Sequence, residues 1–125
     1  MGTTITITGK GGVGKTAVTA LTVDTLVRAE LRPLLAVDAD PNRNLDAALG
    51  VDADTTVGGI REELIAGKDA DTGGMSKAEL LEYRIQMSLV ESEGFDLIAM
   101  GRPEGPGCYC FANELMRNVL DSLAD

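Results

Sequence analysis

The sequence lacks histidine and tryptophan, and only 3% of its 125 residues are aromatic. Without histidine, any metal site in this chain has no imidazole ligand of its own. The scarcity of aromatic residues leaves Val, Ile, Leu, Ala and Met to build the core. An apolar fraction of 44% is ordinary for a globular protein, and the length is that of one domain.

Basic residues are also scarce, with 11 Lys and Arg against 20 Asp and Glu and a formal net charge of −9. Nucleic acids and anionic membranes both attract a basic face, so we expect neither as a partner. Runs of purely aliphatic residues and Met are no longer than four residues, as in 34–37, whereas a membrane-spanning helix needs about 20 apolar residues. No secretory signal is visible, and the simplest expectation is a cytoplasmic protein.

Strand and helix patterns alternate along the chain. Short β-branched or apolar runs predict strands over 3–8, 34–37 and 95–100. Helical spacing of apolar residues predicts helices over 14–30, 44–49, 57–66, 76–93 and 111–123, and Ser76 with Glu79 forms a capping box. The alternation predicts an α/β fold, a parallel sheet of about three strands flanked by helices. Ligands of such sheets bind at the carboxyl ends of the strands.

A glycine-rich loop follows the first predicted strand. The run from Gly9 to Thr16 matches G-x-x-x-x-G-K-[ST] at every fixed position and lies between a predicted strand and a predicted helix. Backbone N–H groups of such a loop surround phosphate oxygens, Lys15 adds charge at the outer phosphates, and the Thr16 hydroxyl can bind Mg²⁺. The expected nucleotide-binding residues are Gly11, Gly12, Val13, Gly14, Lys15, Thr16 and Ala17. The alternative is a glycine-rich turn that binds nothing.

The second lysine of the loop makes it more specific. The run from Lys10 to Thr16 resembles the deviant Walker A loop of the MinD, ParA and nitrogenase iron-protein superfamily. The resemblance implies that Lys10 reaches across a homodimer to the partner's phosphates, as an arginine finger does elsewhere. It also implies that residues 1–125 are the N-terminal part of a single P-loop nucleotide-binding domain. A solvated lysine beside the loop is the alternative for Lys10.

Two acidic residues follow the second predicted strand. Asp38 and Asp40 come at a carboxyl end beside a phosphate loop, where a carboxylate can hold the Mg²⁺ shell or orient water. The segment is similar to switch I of the same superfamily, which assigns the catalytic position to Asp40 and a nearby one to Asn44. Asp38 is expected at the strand end, close to the metal. The alternative is a turn, which Asp, Pro and Asn all favour.

Cys108 and Cys110 follow the third predicted strand and a loop rich in glycine and proline. In a reducing compartment, metal binding or redox chemistry is a better interpretation than a disulfide. Two thiolates cannot complete a tetrahedral site, but the four of a dimer would suit Zn²⁺ or Ni²⁺. A pair of small cysteines near a helix start is the alternative.

The stretch from Met100 to Cys110 resembles the C-x-C segment of CooC-type ATPases, the nickel-insertion factors of carbon monoxide dehydrogenase. The resemblance implies an ATP- and Mg²⁺-dependent ATPase with Lys10, Lys15 and Asp40 as catalytic residues. It further implies a Ni²⁺ or Zn²⁺ ion shared by Cys108 and Cys110 of two subunits. The expected partner is a nickel enzyme, carbon monoxide dehydrogenase or acetyl-CoA synthase.

CooC-type proteins are roughly twice this long, and their switch II aspartate and base-recognising segments would lie beyond Asp125. Other functions therefore remain open. The chain could belong to a positioning ATPase of the MinD/ParA type or an iron-protein-like reductase. It could also form a metal-binding dimer without ATP turnover, and four thiolates would equally suit an iron–sulfur cluster.

Overall fold

Helices and strands alternate in the computed structural model, which describes residues 2–40, 44–67, 73–101 and the four helical residues Glu114, Arg117, Asn118 and Asp121. In chain order, the elements are α1 (Lys15–Arg28), β1 (Leu35–Asp38), α2 (Leu45–Ala48), α3 (Val57–Ile65), α4 (Lys77–Met87), β2 (Val90–Glu91) and β3 (Asp96–Ala99). Among the described residues, no helix has the length and hydrophobicity needed to cross a membrane.

The strands form one sheet in the order β1-β3-β2. β1 and β3 pair in parallel, in a register that runs from Leu35 opposite Asp96 to Asp38 opposite Ala99. β2 pairs with β3 in the antiparallel direction. The predicted α/β fold with about three strands is confirmed, but the sheet is mixed rather than wholly parallel.

The two faces of the sheet pack against different helices, because successive residues of a strand point to opposite faces. On the face covered by α1 and α2, the buried residues are Val23, Ala36, Leu45, Ala53, Leu97 and Ala99. On the face covered by α3 and α4, they are Val57, Ile60, Leu81, Ile85, Ile98 and Met100. Full burial of an Ile or Leu side chain stabilises the fold by about 1.5–3 kcal/mol. Both clusters therefore help to hold the sheet between two helical layers.

The direction of α1 follows from contacts at two places along it. A Cβ atom added to Gly94, two residues before β3, would lie 2.7 Å from a methyl carbon of Val27 in the last turn of α1, so the end of α1 lies beside the beginning of β3. α1 also packs against α2, which begins beyond the carboxyl end of β1. α1 therefore runs opposite to β3, and its amino-terminal end points toward the carboxyl end of the sheet.

The predicted strand over 3–8 is wrong in this structure. Residues 3–8 are irregular, and Ile5 is 59% exposed. β-Branched residues favour an extended backbone, but a strand also needs a neighbour that supplies hydrogen bonds. Connections between parallel strands are right-handed as a rule, and α1 lies on the face of the sheet opposite to α3 and α4. A strand before α1 would therefore have to pair with β3, on the edge of β3 that faces away from β1. β2 occupies part of that edge, opposite Asp96 and Leu97.

The helix predicted over 76–93 ends early. α4 stops at Met87, and the Ser88 hydroxyl donates a hydrogen bond to the Ile85 carbonyl. Val90 and Glu91 then pair with β3 through a tight connection in which Gly94 has φ +95°. Helical spacing of side chains did not reveal this hairpin, because its strand is only two residues long. The helices predicted over 14–30, 44–49 and 57–66 agree with α1, α2 and α3 to within two residues at either end. Most of the helix predicted over 111–123 lies outside the described residues.

The capping box predicted for α4 is confirmed, and it makes a testable contribution to stability. The Ser76 hydroxyl accepts a hydrogen bond from the Glu79 N–H, while the Glu79 carboxylate accepts one from the Ser76 N–H at 2.7 Å. We expect Ser76→Ala to lower the free energy of unfolding by about 1 kcal/mol in urea denaturation. The neighbouring exposed change Lys77→Ala should alter it by less than about 0.5 kcal/mol. Equal effects of the two changes would contradict a capping role.

Candidate nucleotide-binding site

Several segments converge where β1 and β3 end, which we call the carboxyl edge. Asp38 is the last residue of β1, and Met100 and Gly101 follow β3 directly. The Met100 N–H donates to the Asp38 carbonyl at 2.8 Å, and the Gly58 N–H of α3 donates to the Met100 carbonyl at 2.9 Å. With α1 antiparallel to β3, the phosphate loop faces the same edge.

The loop before α1 has the compact turn that a phosphate loop needs. Gly12 and Gly14 have φ values of +83° and +93°, a region that glycine adopts without a steric penalty. A Cβ atom on Gly9 would lie 3.0 Å from a methyl carbon of Val13 and 3.6 Å from Cγ of Lys15. The loop therefore folds back across its own start, and the Lys15 side chain passes beside Gly9.

The amino-terminal end of α1 fits an anion. Gly14 caps the helix in a left-handed conformation, contributes no side-chain hydrogen bond, and leaves a first turn without an acidic residue. The first N–H groups of a helix have no partner within it, and they carry the positive end of the helix dipole. A nucleotide phosphate would accept hydrogen bonds from these N–H groups and place its negative charge at the positive end of the dipole.

The other predicted residues of the loop occupy consistent positions. Lys15 and Thr16 open α1 and are half-buried, whereas Lys10 and Ala17 are exposed. An exposed Lys10 is compatible with reaching a second molecule and equally with a solvated side chain. Its role across a dimer, and those of Lys15 and Thr16 toward phosphate and Mg²⁺, stay predictions.

Asp38 is the most constrained residue of the carboxyl edge. Only 6% of this residue is exposed, and it is the one buried polar or charged residue among those that the structure describes. Oδ1 accepts a hydrogen bond from the Asp40 N–H at 3.1 Å, and Oδ2 accepts one from the Leu45 N–H at 3.2 Å. One carboxylate thus connects the strand end, the next acidic residue and the first residue of α2. Sequence patterns placed Asp38 at a strand end but did not reveal these contacts.

Burial raises the pKa of Asp38 above its ordinary value of 3.8. The N–H groups of Leu45 and Asp40 lower the pKa because they stabilise the carboxylate, and the neighbouring carboxylates of Asp40 and Asp46 raise it further. Desolvation is the largest of these effects, so burial makes the charged form of Asp38 less favourable than it is in water.

Asp40 and Asn44 lie on either side of residues outside the described part of the chain. Asp40 is half-buried, and Asn44 is exposed at the amino-terminal end of α2, without a side-chain capping bond. α2 packs against α1, the helix that begins at the end of the phosphate loop. The predicted switch segment and the phosphate loop therefore lead into neighbouring helices on one face of the sheet.

Thr56 makes a contact that the sequence analysis missed. Its hydroxyl caps α3 by accepting a hydrogen bond from the Gly59 N–H at 3.1 Å. A Cβ atom on Gly101, where φ is +69°, would lie 2.6 Å from both Cβ and Oγ1 of Thr56. Gly101 is the last described residue before the cysteine-bearing stretch, so this contact fixes where that stretch leaves the sheet. A threonine directly before a helix is a capping signal that could have singled it out.

The predicted metal ligands Cys108 and Cys110 lie outside the described residues. Within the described ranges, no group of three or more Cys, Asp and Glu side chains is arranged to hold a metal ion. The metal-site prediction therefore stays a prediction.

A glycine-rich loop that opens an uncapped helix at the carboxyl edge of an α/β sheet defines a P-loop nucleotide-binding unit. Comparison with known proteins agrees, because the family model described as anion-transporting ATPase matches residues 2–102. The chain belongs to this family of MinD/ParA-like P-loop ATPases. No solved structure gave a significant match.

Curated relatives cover nearly the whole chain. An uncharacterised ATP-binding protein of Methanocaldococcus jannaschii is 48% identical over 96% of the chain. The carbon monoxide dehydrogenase accessory protein CooC of Rhodospirillum rubrum is 31% identical over 93%, and a second uncharacterised ATP-binding protein of M. jannaschii is 33% identical over 95%. The chain spans about half the length of these relatives: 48%, 48% and 49%.

The contact between Thr56 and Gly101 predicts a large penalty for a small substitution. Gly101→Ala would place a Cβ atom against the capping threonine in a backbone conformation that alanine rarely adopts. Gly67→Ala is the matched control, because Gly67 has φ +73° and open space around its Cα. We expect about 1 kcal/mol of destabilisation for Gly67→Ala from backbone strain alone. Gly101→Ala should cost about 2 kcal/mol more in urea denaturation. Equal costs would contradict the contact.

The raised pKa of Asp38 predicts a pH dependence of stability in the absence of nucleotide and Mg²⁺. Because the folded chain holds this proton more tightly than the unfolded chain, stability attributable to Asp38 falls as pH rises from about 3.8 through the raised pKa. Above that pKa it stays constant. The asparagine introduced by Asp38→Asn does not titrate, so the free energy of unfolding of the unaltered chain minus that of the variant should decrease with pH. A difference that stays constant or increases would contradict the assignment.

Proposed function

We propose that this chain forms the phosphate-binding half of an ATPase that delivers nickel to carbon monoxide dehydrogenase or acetyl-CoA synthase. The observation that carries the nucleotide part is the uncapped amino-terminal end of α1, opened by a compact glycine loop. This end faces the carboxyl edge, where β1 ends at Asp38 and Asp40 follows. Family membership supports the same interpretation.

In this proposal, the backbone of 11–17 surrounds the phosphates of Mg²⁺–ATP. Lys15 neutralises charge on the outer phosphates, and the Thr16 hydroxyl joins the Mg²⁺ shell. Asp40 holds that shell or orients the water that attacks the γ-phosphorus. The bond between that phosphorus and the β–γ bridging oxygen then breaks, which releases ADP and inorganic phosphate.

The metal part of the proposal depends on dimer formation. Two chains would bring four thiolates together from Cys108 and Cys110, which suits one Ni²⁺ or Zn²⁺ ion as cargo. Lys10, exposed at the loop, would reach the nucleotide of the partner subunit. ATP would close the dimer around the ion, and hydrolysis would release the ion to the target enzyme.

Two observations favour nickel delivery over the other functions of related ATPases. One relative with 31% identity is a carbon monoxide dehydrogenase accessory protein. The net charge of −9 disfavours the DNA or membrane surfaces that a positioning ATPase requires. The sequence pair Cys108 and Cys110 fits a shared ion, although it would equally fit a shared iron–sulfur cluster.

Native mass spectrometry of the reduced chain with Mg²⁺–ATP and added Ni²⁺ or Zn²⁺ tests both parts together. We expect a dimer that carries two nucleotides and one metal ion. Lys15→Ala should weaken ATP binding at least about tenfold, because a charge-assisted contact to phosphate is lost. Because ATP closes the dimer around the ion in this proposal, Lys15→Ala should weaken metal binding as well. The double change Cys108→Ser and Cys110→Ser should abolish metal binding and leave ATP binding unchanged.

The outcomes separate the alternatives. Metal bound by a monomer, or retained by the double serine variant, would overturn the thiolate clamp. An ATP affinity that is unchanged in Lys15→Ala would overturn the nucleotide site. Metal binding without any nucleotide would indicate a metal-binding dimer instead of an ATPase, and an iron- and sulfide-containing mass after anaerobic purification would indicate a cluster.

A further inference from the structure

Asp38 could bind Mg²⁺ directly or hold the neighbouring backbone in place, and its hydrogen bonds distinguish these two roles. An aspartate that binds Mg²⁺ directs a carboxylate oxygen at the ion. Asp38 instead directs Oδ1 at the Asp40 N–H and Oδ2 at the Leu45 N–H, from a side chain that is 6% exposed. Both oxygens face the backbone of this chain.

We propose that Asp38 is a positioning residue that holds Asp40 in place for the Mg²⁺–nucleotide, an inference that rests on the proposed nucleotide function. The two hydrogen bonds bracket the segment from Asp40 to Leu45, whose first residue carries the catalytic carboxylate and whose last residue begins α2. The carboxylate thus fixes both ends of the segment, whatever the conformation of the residues between them.

The main chain of Asp38 is held in place by hydrogen bonds as well. The Asp38 carbonyl accepts the Met100 N–H at 2.8 Å, and the Asp38 position is the last pair of the β1–β3 ladder. Leu45 is 4% exposed and packs in the cluster that includes Ala36 and Ala99. A displacement of Asp40 would therefore require breaking its partly buried hydrogen bond to Asp38. A displacement of Leu45 would require breaking a buried hydrogen bond and moving α2 from the sheet.

Asp46 offers a matched control within the same part of the fold. Its carboxylate also accepts two backbone N–H groups, from Ala47 at 2.8 Å and from Ala53 at 3.2 Å. The bond from Ala53 ties α2 to the chain that follows it, the bond from Ala47 lies within α2, and neither involves Asp40. Asp46→Asn therefore disturbs the same kind of interaction without touching the proposed anchor.

The test combines amide hydrogen exchange with nucleotide binding on the whole chain. In Asp38→Asn, an amide NH₂ group replaces one acceptor, so the Asp40 or Leu45 amide should exchange at least about tenfold faster. The amides of Leu97 and Ile98 in β3 should keep their rates. The gain in ATP affinity on adding Mg²⁺ should fall about tenfold or more, as with other residues that orient a metal ligand. Affinity for ATP without Mg²⁺ should stay within about twofold, since the phosphate loop is unaltered. Asp46→Asn should preserve the Mg²⁺ effect.

Unchanged exchange at both Asp40 and Leu45 would overturn the proposal, as would a full Mg²⁺ effect in Asp38→Asn. If the unaltered chain binds no ATP, the proposed function fails, and the exchange rates still decide whether Asp38 holds the segment. If Asp38→Asn does not fold, the unaltered chain decides. Slow exchange of the Asp40 and Leu45 amides supports the anchor, and exchange at the rate of an unstructured peptide overturns it.

Discussion

The parallel pairing of β1 with β3 is the interaction on which the rest of this structure depends. Its register gives each residue of β1 a partner, and it sends alternate side chains into two different helical layers. Parallel pairing also brings both strand ends to one edge. The segment after Asp38 and the segment after Ala99 therefore start side by side, although about 60 residues of sequence separate them.

The helices complete this edge because of how each one is attached. The end of α1 lies beside the beginning of β3, and α1 packs against α2 beyond the end of β1, so its uncapped end faces the strand ends. α3 donates its Gly58 N–H to the Met100 carbonyl and presses Thr56 against Gly101. A continuous set of backbone hydrogen bonds thus joins the end of β1, from which the segment of Asp40 starts, to the point where the cysteine-bearing stretch begins. In the proposed ATPase, nucleotide and metal would act through segments rooted in the same ladder.

Local signals in the sequence predicted most of the elements and the compact turn of the glycine loop. Glycines at 12 and 14 and the lysine that follows define the phosphate loop, and Ser76 with Glu79 marks the start of α4. Tertiary contacts decided the rest. The segment 3–8 has β-branched residues but no strand partner, whereas Val90 and Glu91 form a strand because they lie opposite β3. The bonds from the Asp38 carboxylate span two and seven residues of sequence, which no helix or strand period encodes.

In the proposed ATPase, the phosphate loop and the segment after β1 surround one Mg²⁺–nucleotide at the carboxyl edge. Amide NMR spectra of the chain with ATP and Mn²⁺ in place of Mg²⁺ test this arrangement directly, since the paramagnetic ion broadens signals only from nearby nuclei. We expect selective broadening of the signals of both Gly11–Thr16 and Asp38–Leu45. The signals of Val27 and Gly94, at the opposite edge, should stay sharp. Broadening of only one of the two segments, or of neither, would contradict it.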